Sequence, residues 1–396
     1  MILKNQGRNK RTILTRNGEI TYSRTILMPA DIDSKKRLSE MQEAKGVCPL
    51  DIALRLDKLP FKITPGMMCD IAKEAVRAPS YERATEVILE HYNVDKISVK
   101  TVRDVTNYIG ALVYSDDCKR GAIAMAEKNN KFDKRKKNRK PDDILYIEMD
   151  GAMVNTREIN PNDKQSSWKE CKIGMAFLNE DLDTKITKNG DVRRRITKKR
   201  FVGHIGNYKK FEELIIGLAA RYEYKKRAKI VVISDGADWI HTIVDDLFPD
   251  AIHILDLAHV KEHICDFAKN NLTSEKERDE WIDSIYTLLD NGDTDKILAK
   301  LEQSKGKDND GGKLYAYIEK RIESMNYKEY RDKGYFVGSG ASESANKYVM
   351  QNRMKLEGMR WNVETGQGML ALKTRYEGRC WDEVQAIVEK SFGIKS

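Results

Sequence analysis

The chain has 396 residues, a formal charge of +9 and 34% charged residues, against about 25% in an ordinary soluble domain. At roughly 150 residues per domain the length predicts two or three domains, and no apolar run reaches the roughly 18 residues that a membrane span needs. The 17 Tyr, 9 Phe and 5 Trp supply ample core, so disorder throughout is excluded, and the six cysteines never fall as a C-x-x-C pair, which predicts reduced thiols rather than a disulfide scaffold or zinc ribbon. With no apolar leader in Met1-Ile-Leu-Lys4, the expectation is a soluble cytoplasmic protein.

Residues 11–27 alternate apolar and polar on either side of Asn17-Gly18, the strongest short signal for a β-hairpin. Arg11, Arg16 and Arg24 give it one basic face, and residues 1–63 are read as an N-terminal hairpin region. From Thr64-Pro65 the texture turns helical. Helices are predicted over 80–92 and 98–113, and their short connection has the outline of a helix-turn-helix, so residues 64–127 form a candidate DNA-binding domain. Lys100 and Arg103, near the start of its second helix, would reach bases or phosphates. Lys128 to Lys140 then holds eight cations and one acid, a net charge of +7 that nearly equals the surplus of the whole chain. Lys134, Arg135, Lys136, Lys137, Arg139 and Lys140 make residues 128–143 a basic linker and an electrostatic footprint for nucleic acid.

Beyond Pro141 strands are predicted at 144–150, 172–178 and 195–205, followed by a helix over 208–224. A buried-type strand at 228–234, a helix at 237–247, a strand at 251–255 and a helix from Asp256 complete the run. This β-β-β-α-β-α-β-α order is that of a ribonuclease H-like fold, a mixed sheet with helices on its faces. Charged, helical sequence over 271–335 reads as an all-α insertion. It divides an α/β catalytic domain into residues 144–270 and the last helices, 336–396.

Three acids stand out by position. Asp150 ends the first of these strands, Asp235 follows the fourth, and Glu343 opens a helix after a glycine turn. Neighbouring strand ends and a crossing helix bring such acids together, and their mutual repulsion reverses sign when hard divalent cations such as Mg²⁺ take their oxygens. Singly, each acid fits an ordinary turn or helix start. Asp256 is expected to cap the helix that follows it, with His259 touching DNA or ordering the site; a zinc site on Asp256, His259 and His263 is the weaker alternative. Lys347, Arg353, Lys355 and Arg360, with Ser344 and Gln351, place cations and amides beside Glu343, suited to flanking phosphates. Tyr348 and Trp361 fit core packing better than base stacking.

The ordered set Glu148-Met-Asp150-Gly, Ser234-Asp-Gly-Ala-Asp-Trp239, Phe248-Pro-Asp250, Leu255-Asp-Leu-Ala-His259 and Gly338-Ser-Gly-Ala-Ser-Glu343 resembles bacterial insertion-sequence transposases of the DDE type. Within them it is similar to the ISLre-like group allied to Mutator-like transposases, and Arg353-Met-Lys-Leu-Glu-Gly-Met-Arg-Trp361 resembles that group too. The resemblance spans residues 11–385. It implies Asp150, Asp235 and Glu343 as the catalytic triad holding two Mg²⁺ ions, with Mn²⁺ as a substitute. It also implies cleavage of DNA at terminal inverted repeats and strand transfer to target DNA by a homodimer or larger oligomer, in bacterial cytoplasm at the nucleoid. The competing expectations are a ribonuclease H-like structure-selective nuclease that cuts without joining, and a transposase-derived DNA-binding protein with a retired centre.

Overall fold

A computed structural model describes residues 3–29, 46–128, 142–159, 166–186, 192–307, 309–337 and 346–394. The chain divides into two compact units: Met1–Asp116 with Asn352–Gly358 and Asn362–Ser396, and Asp117–Gln351 with Met359–Trp361.

In the first unit β1 (Leu3–Thr15) pairs antiparallel with β2 (Gly18–Pro29), from Leu3↔Pro29 to Thr15↔Gly18 with a register shift between Asn5 and Arg8. Gly18 sits at φ +104°, a left-handed turn conformation open to glycine at no steric cost. The hairpin runs beyond the expected 11–27 because residues 4–10 are exposed and carry no apolar alternation to mark them. Its basic face is also different from the one expected. Arg11, Arg24 and Tyr22 converge on the buried carboxylate of Asp51, with Arg11 and Tyr22 each 2.7 Å away, and Arg16 grips Asp70 at 2.6 and 2.9 Å. These arginines anchor the hairpin. The opposite face, set by the pairs Arg8↔Thr25, Lys10↔Ser23 and Thr12↔Thr21, presents cations and hydroxyls.

Helix α1 (Pro49–Ala53) precedes α2 (Pro65–Arg77), α3 (Tyr81–His91) and α4 (Val99–Ala126). Ser80 caps α3 by accepting from the Arg83 N–H at 3.1 Å. Met67, Met68, Ile71, Ala72 and Ala75 give α2 a buried face, which packs against α3 and against helices Val363–Glu377 and Trp381–Ser391. This departs from the expectation that 336–396 completes the catalytic domain. Residues 366–375 are buried without interruption, and Leu370, Val384 and Val388 join the core of the first unit. The boundary expected at 127/128 likewise falls at 116/117, inside α4, whose later turns continue the helix past residue 113.

The second unit holds a five-stranded sheet in the order β7-β4-β3-β8-β9. Its strands are β3 (Ile144–Ile159), β4 (Ser166–Leu178), β7 (Arg200–Ile205), β8 (Lys229–Ser234) and β9 (Ile252–Leu255). The pairs β7–β4 and β4–β3 are antiparallel, whereas β3–β8 and β8–β9 are parallel. Parallel neighbours need crossovers. These are supplied by α5 (Tyr208–Arg221), before β8, and α6 (Asp238–Leu247), between β8 and β9, and α7 (Leu257–Asn271) follows. Residues 144–149 are wholly buried, and Tyr146 stacks on Phe177 with ring centroids 5.0 Å apart.

Two strands differ from expectation. The first continues past Asp150 to Ile159, because β4 stays paired with it as far as Asn155 and again at Ile159. The third is split in two. Val192–Ile196, with three consecutive arginines, becomes β6 and pairs with β5 (Leu182–Ile186), and only Arg200–Ile205 enters the main sheet. After α7 the described elements up to Phe336 are helices, at Glu275–Asn291, Thr294–Leu301, Asp310–Glu319 and Tyr327–Asp332, with short 3₁₀ turns.

Candidate active site

The acids sit where the parallel part of the sheet ends. The last β3–β8 pair is Met149↔Ser234 and the last β8–β9 pair is Ser234↔Leu255, so Asp150, Asp235 and Asp256 each lie one residue beyond their pairing. The Asp256 N–H still reaches the Ser234 carbonyl at 2.7 Å. Three adjacent strands thus deliver three carboxylates to one edge, and Glu148 lies two residues before Asp150, on the same face of β3.

Their charges act on one another. The pKa of Asp150 is pushed up to about 6, first by burial and then by the Asp235 charge, against the pull of the Gly151 N–H, which donates to its Oδ1 at 2.6 Å. His259 lowers it and Asp256 raises it further. Glu148 is 1% exposed, and neither carboxylate oxygen has a hydrogen-bond partner. Burial, then Asp256, push its pKa well above the carboxylate range, Lys199 pulls against them, and Asp150 adds to the rise. Carboxylates crowded in this way gain from a hard cation, which both removes the repulsion and fills the orphaned oxygens. Among the described residues, however, no three His, Cys, Asp or Glu side chains form a group able to hold a metal.

Asp235 accepts the Ala237 N–H at 2.9 Å, fixing the carboxylate at the start of α6. Asp256, 5% exposed, accepts the Ala258 N–H at 2.9 Å and caps α7. His259 lies 3.4 Å from Glu262 and His263 stacks near Tyr317, and among the described residues these side chains form no group of three that could hold a zinc ion. Behind the sheet edge, Ser234 Oγ meets His253 Nε2 at 2.8 Å, and burial drives the His253 pKa down to about 3.

The remaining expected contacts divide. Glu343, with residues 338–345, and the basic run Lys134, Arg135, Lys136, Lys137, Arg139 and Lys140 lie outside the described residues. Lys100 and Arg103 are exposed, and Lys100 pairs with Asp104 at 2.5 Å. Lys355 and Arg360 are exposed. Arg353 is not a phosphate ligand. It is 2% exposed, donates to the Ala75 carbonyl at 3.2 Å and lies 5.0 Å from the Tyr81 ring, a core cation of the first unit. Nor does one helix run through the described residues 346–361. A π-helical turn, Asn346–Gln351, leads into Asn352–Met354, and a turn at Gly358 brings Trp361 into a bridge with Thr156 of β3. Trp361 is buried, as core packing predicts, whereas Tyr348 is 47% exposed.

The sequence reading passed over Glu148 and the donors that hold the strand ends. Glu148 had a visible signal: a lone carboxylate inside the apolar run 144–149, two positions before Asp150. Tyr317, Arg321 and Tyr327 had none, since only the tertiary fold brings them to the sheet.

Among known proteins, the chain belongs to an uncharacterised protein family, UPF0236, which it matches over residues 3–390. No curated protein matches it. Among solved structures it is similar to the Drosophila P element transposase strand transfer complex, at 9% identity and a TM-score of 0.27, over 91% of this chain and 87% of that one.

Proposed function

We propose that this protein is a DDE transposase whose second unit carries a ribonuclease H-like catalytic domain split by the helical stretch 271–335. The observation that carries the reading is the placement of Asp150, Asp235 and Asp256 one residue beyond the last parallel pairs of three adjacent strands, within a sheet of order β7-β4-β3-β8-β9. Asp150 and Asp235 are the first two acids of the triad, and Glu343 is the third. They would hold two Mg²⁺ ions, which when bound supply Lewis-acid polarisation of a phosphodiester. The role of the chain itself is positional. Burial of Glu148 keeps bulk water from its carboxylate, and His259 in the first turn of α7 pulls the Asp150 pKa down. Ser234, His253 and the capping Asp256 fix the strand ends.

The DNA partner is read from charge. The hairpin face of Arg8, Lys10, Thr12, Thr21, Ser23 and Thr25, exposed at Arg8, Lys10, Thr21 and Ser23, offers cations and hydroxyls to phosphates, and Lys100, Arg103, Lys355 and Arg360 add exposed cations. The test is incubation of the full chain with DNA bearing the ends that flank its gene, with and without Mg²⁺. End-specific nicking followed by joining to a target plasmid is expected. Nicking without joining would leave a nuclease, and binding without nicking a DNA-binding protein.

A further inference from the structure

We propose that Tyr317 and Arg321 are positioning residues for the Asp235 carboxylate, so that the helical stretch after α7 is part of the apparatus that sets the catalytic geometry. The inference rests on the reading of Asp235 as a triad acid and names what holds it. Asp235 and Gly236 form the link between β8 and α6, two peptides with no ladder partners of their own. Their carbonyls are taken by the helical stretch. The Tyr317 hydroxyl donates to the Asp235 carbonyl at 3.1 Å, and Arg321 donates to the Gly236 carbonyl through Nε at 2.9 Å and Nη2 at 2.5 Å.

The donors are themselves fixed. The Arg321 guanidinium lies 4.4 Å from the centre of the Tyr317 ring, its Nη1 donates to the Tyr317 carbonyl at 3.2 Å, and the side chain is 12% exposed. A rigid two-pronged fork on one carbonyl fixes the direction of a peptide as well as its place. The backbone has been shaped to receive it. Gly236 adopts φ +83°, and a Cβ there would stand 2.3 Å from Arg321 Nε and 2.7 Å from Leu255 Cδ1. The guanidinium therefore occupies the space that any other residue would fill. One strand over, the Tyr327 hydroxyl donates to the Leu255 carbonyl at 3.0 Å, immediately before Asp256. The donors converge on the strand ends that carry acids. Tyr330, by contrast, spends its hydroxyl on the Glu323 carbonyl within the helical stretch itself.

That contrast supplies the control. Arg321→Met, Arg321→Lys, Tyr317→Phe and Tyr330→Phe in the full chain are compared for Mn²⁺ binding by calorimetry, for the Mn²⁺ concentration that half-saturates nicking, for end-DNA affinity and for melting temperature. A positioning role predicts that Arg321→Met weakens Mn²⁺ binding by roughly tenfold or more, as loss of the groups that orient a metal ligand does. Arg321→Lys and Tyr317→Phe should fall between that value and wild type, with DNA affinity unchanged. Tyr330→Phe should lower the melting temperature without moving the Mn²⁺ requirement. If Arg321→Met does not fold, Arg321→Lys and Tyr317→Phe decide by the same readouts. Wild-type Mn²⁺ affinity in the folded Arg321 and Tyr317 variants, or a shift in Tyr330→Phe as large as theirs, overturns the proposal. Asp235→Asn separates the premise from the inference: if it binds Mn²⁺ and nicks like wild type, the triad assignment fails, whereas if it alone is dead, only the positioning role fails.

Discussion

The Asp256 N–H donates to the Ser234 carbonyl at 2.7 Å, so the acid that caps α7 is tied to the residue just before Asp235. Two acids that follow neighbouring strands are thereby tied through the backbone, and either could be taken for the second acid of a triad. Charge-only substitution separates them. Asparagine caps a helix as well as aspartate does, so Asp256→Asn keeps α7 intact. It is expected to retain nicking within about tenfold, whereas Asp150→Asn and Asp235→Asn lose roughly 10³-fold, the scale set by removing one preorganised electrostatic contact in a site. Nicking rates and gel-shift affinities measured on the same preparations check this, and DNA binding should survive in all three.

His253 makes stability sensitive to acid. Its folded pKa of about 3 lies below the ordinary histidine value near 6.5, so the unfolded chain takes up the proton first. Stability contributed by the neutral ring is complete above pH 6.5 and is lost as pH falls toward 3, at up to about 1.4 kcal/mol per unit. His253→Gln should flatten that limb in denaturant titrations between pH 6.5 and 4.5. An unchanged slope would mean that the ring is accessible.

Glu148 acts in the opposite sense. A carboxyl whose folded pKa is raised holds its proton longer in the folded state, so stability falls as pH rises from the ordinary value of 4.5 toward the folded one. Glu148→Gln carries no such titration. In metal-free buffer the stability of the variant is expected to depend less on pH between 5 and 8 than that of wild type. Equal slopes in urea-unfolding series would show that the carboxylate is already paired.

Arg353 and Arg360 were expected to share a role, and the fold assigns them different ones. Arg353→Met removes a buried donor from the Ala75 carbonyl and a cation from the Tyr81 face, and should cost about 2–4 kcal/mol of stability. Arg360→Ala, at an exposed site, should change stability by no more than about 0.5 kcal/mol while weakening DNA binding. Chemical denaturation and filter binding of the two variants distinguish them.

The hairpin offers a test by salt. If Arg8 and Lys10 neutralise phosphates, the double change Arg8→Glu, Lys10→Glu should reduce the slope of log affinity against log salt by about 2. Arg11→Ala should instead loosen the hairpin from Asp51 and show first as lost thermal stability.

Much of the second unit was legible because buried strands and turn glycines speak locally. The run 144–149, the strand at 229–234 and the Asp-Gly after it lie within a residue or two of where periodicity puts them. The strand order also places β8 next to β3, and the capping role of Asp256 follows from its position before α7. What stayed hidden depends on distant partners. Nothing near Arg353 announces that Ala75 and Tyr81 will enclose it, and nothing in Arg193-Arg194-Arg195 says that the strand must break before Arg200. The polar stretch 4–10 forms a strand only because β2 lies alongside it. Residues 362–396 read as the close of the sheet domain because a burial pattern names a face without naming the surface that meets it.

That last packing arrangement bears on how the protein is made. Helix α2 leaves the ribosome early, but two of the helices that pack against it are encoded at 363–391. The nascent first unit must wait, part of its packing missing, while the whole β-sheet of the second unit is synthesised and free to fold. A copy of the gene interrupted by a frameshift before codon 363 would yield a folded sheet beside an unfinished neighbour, a product marked for chaperones and proteases.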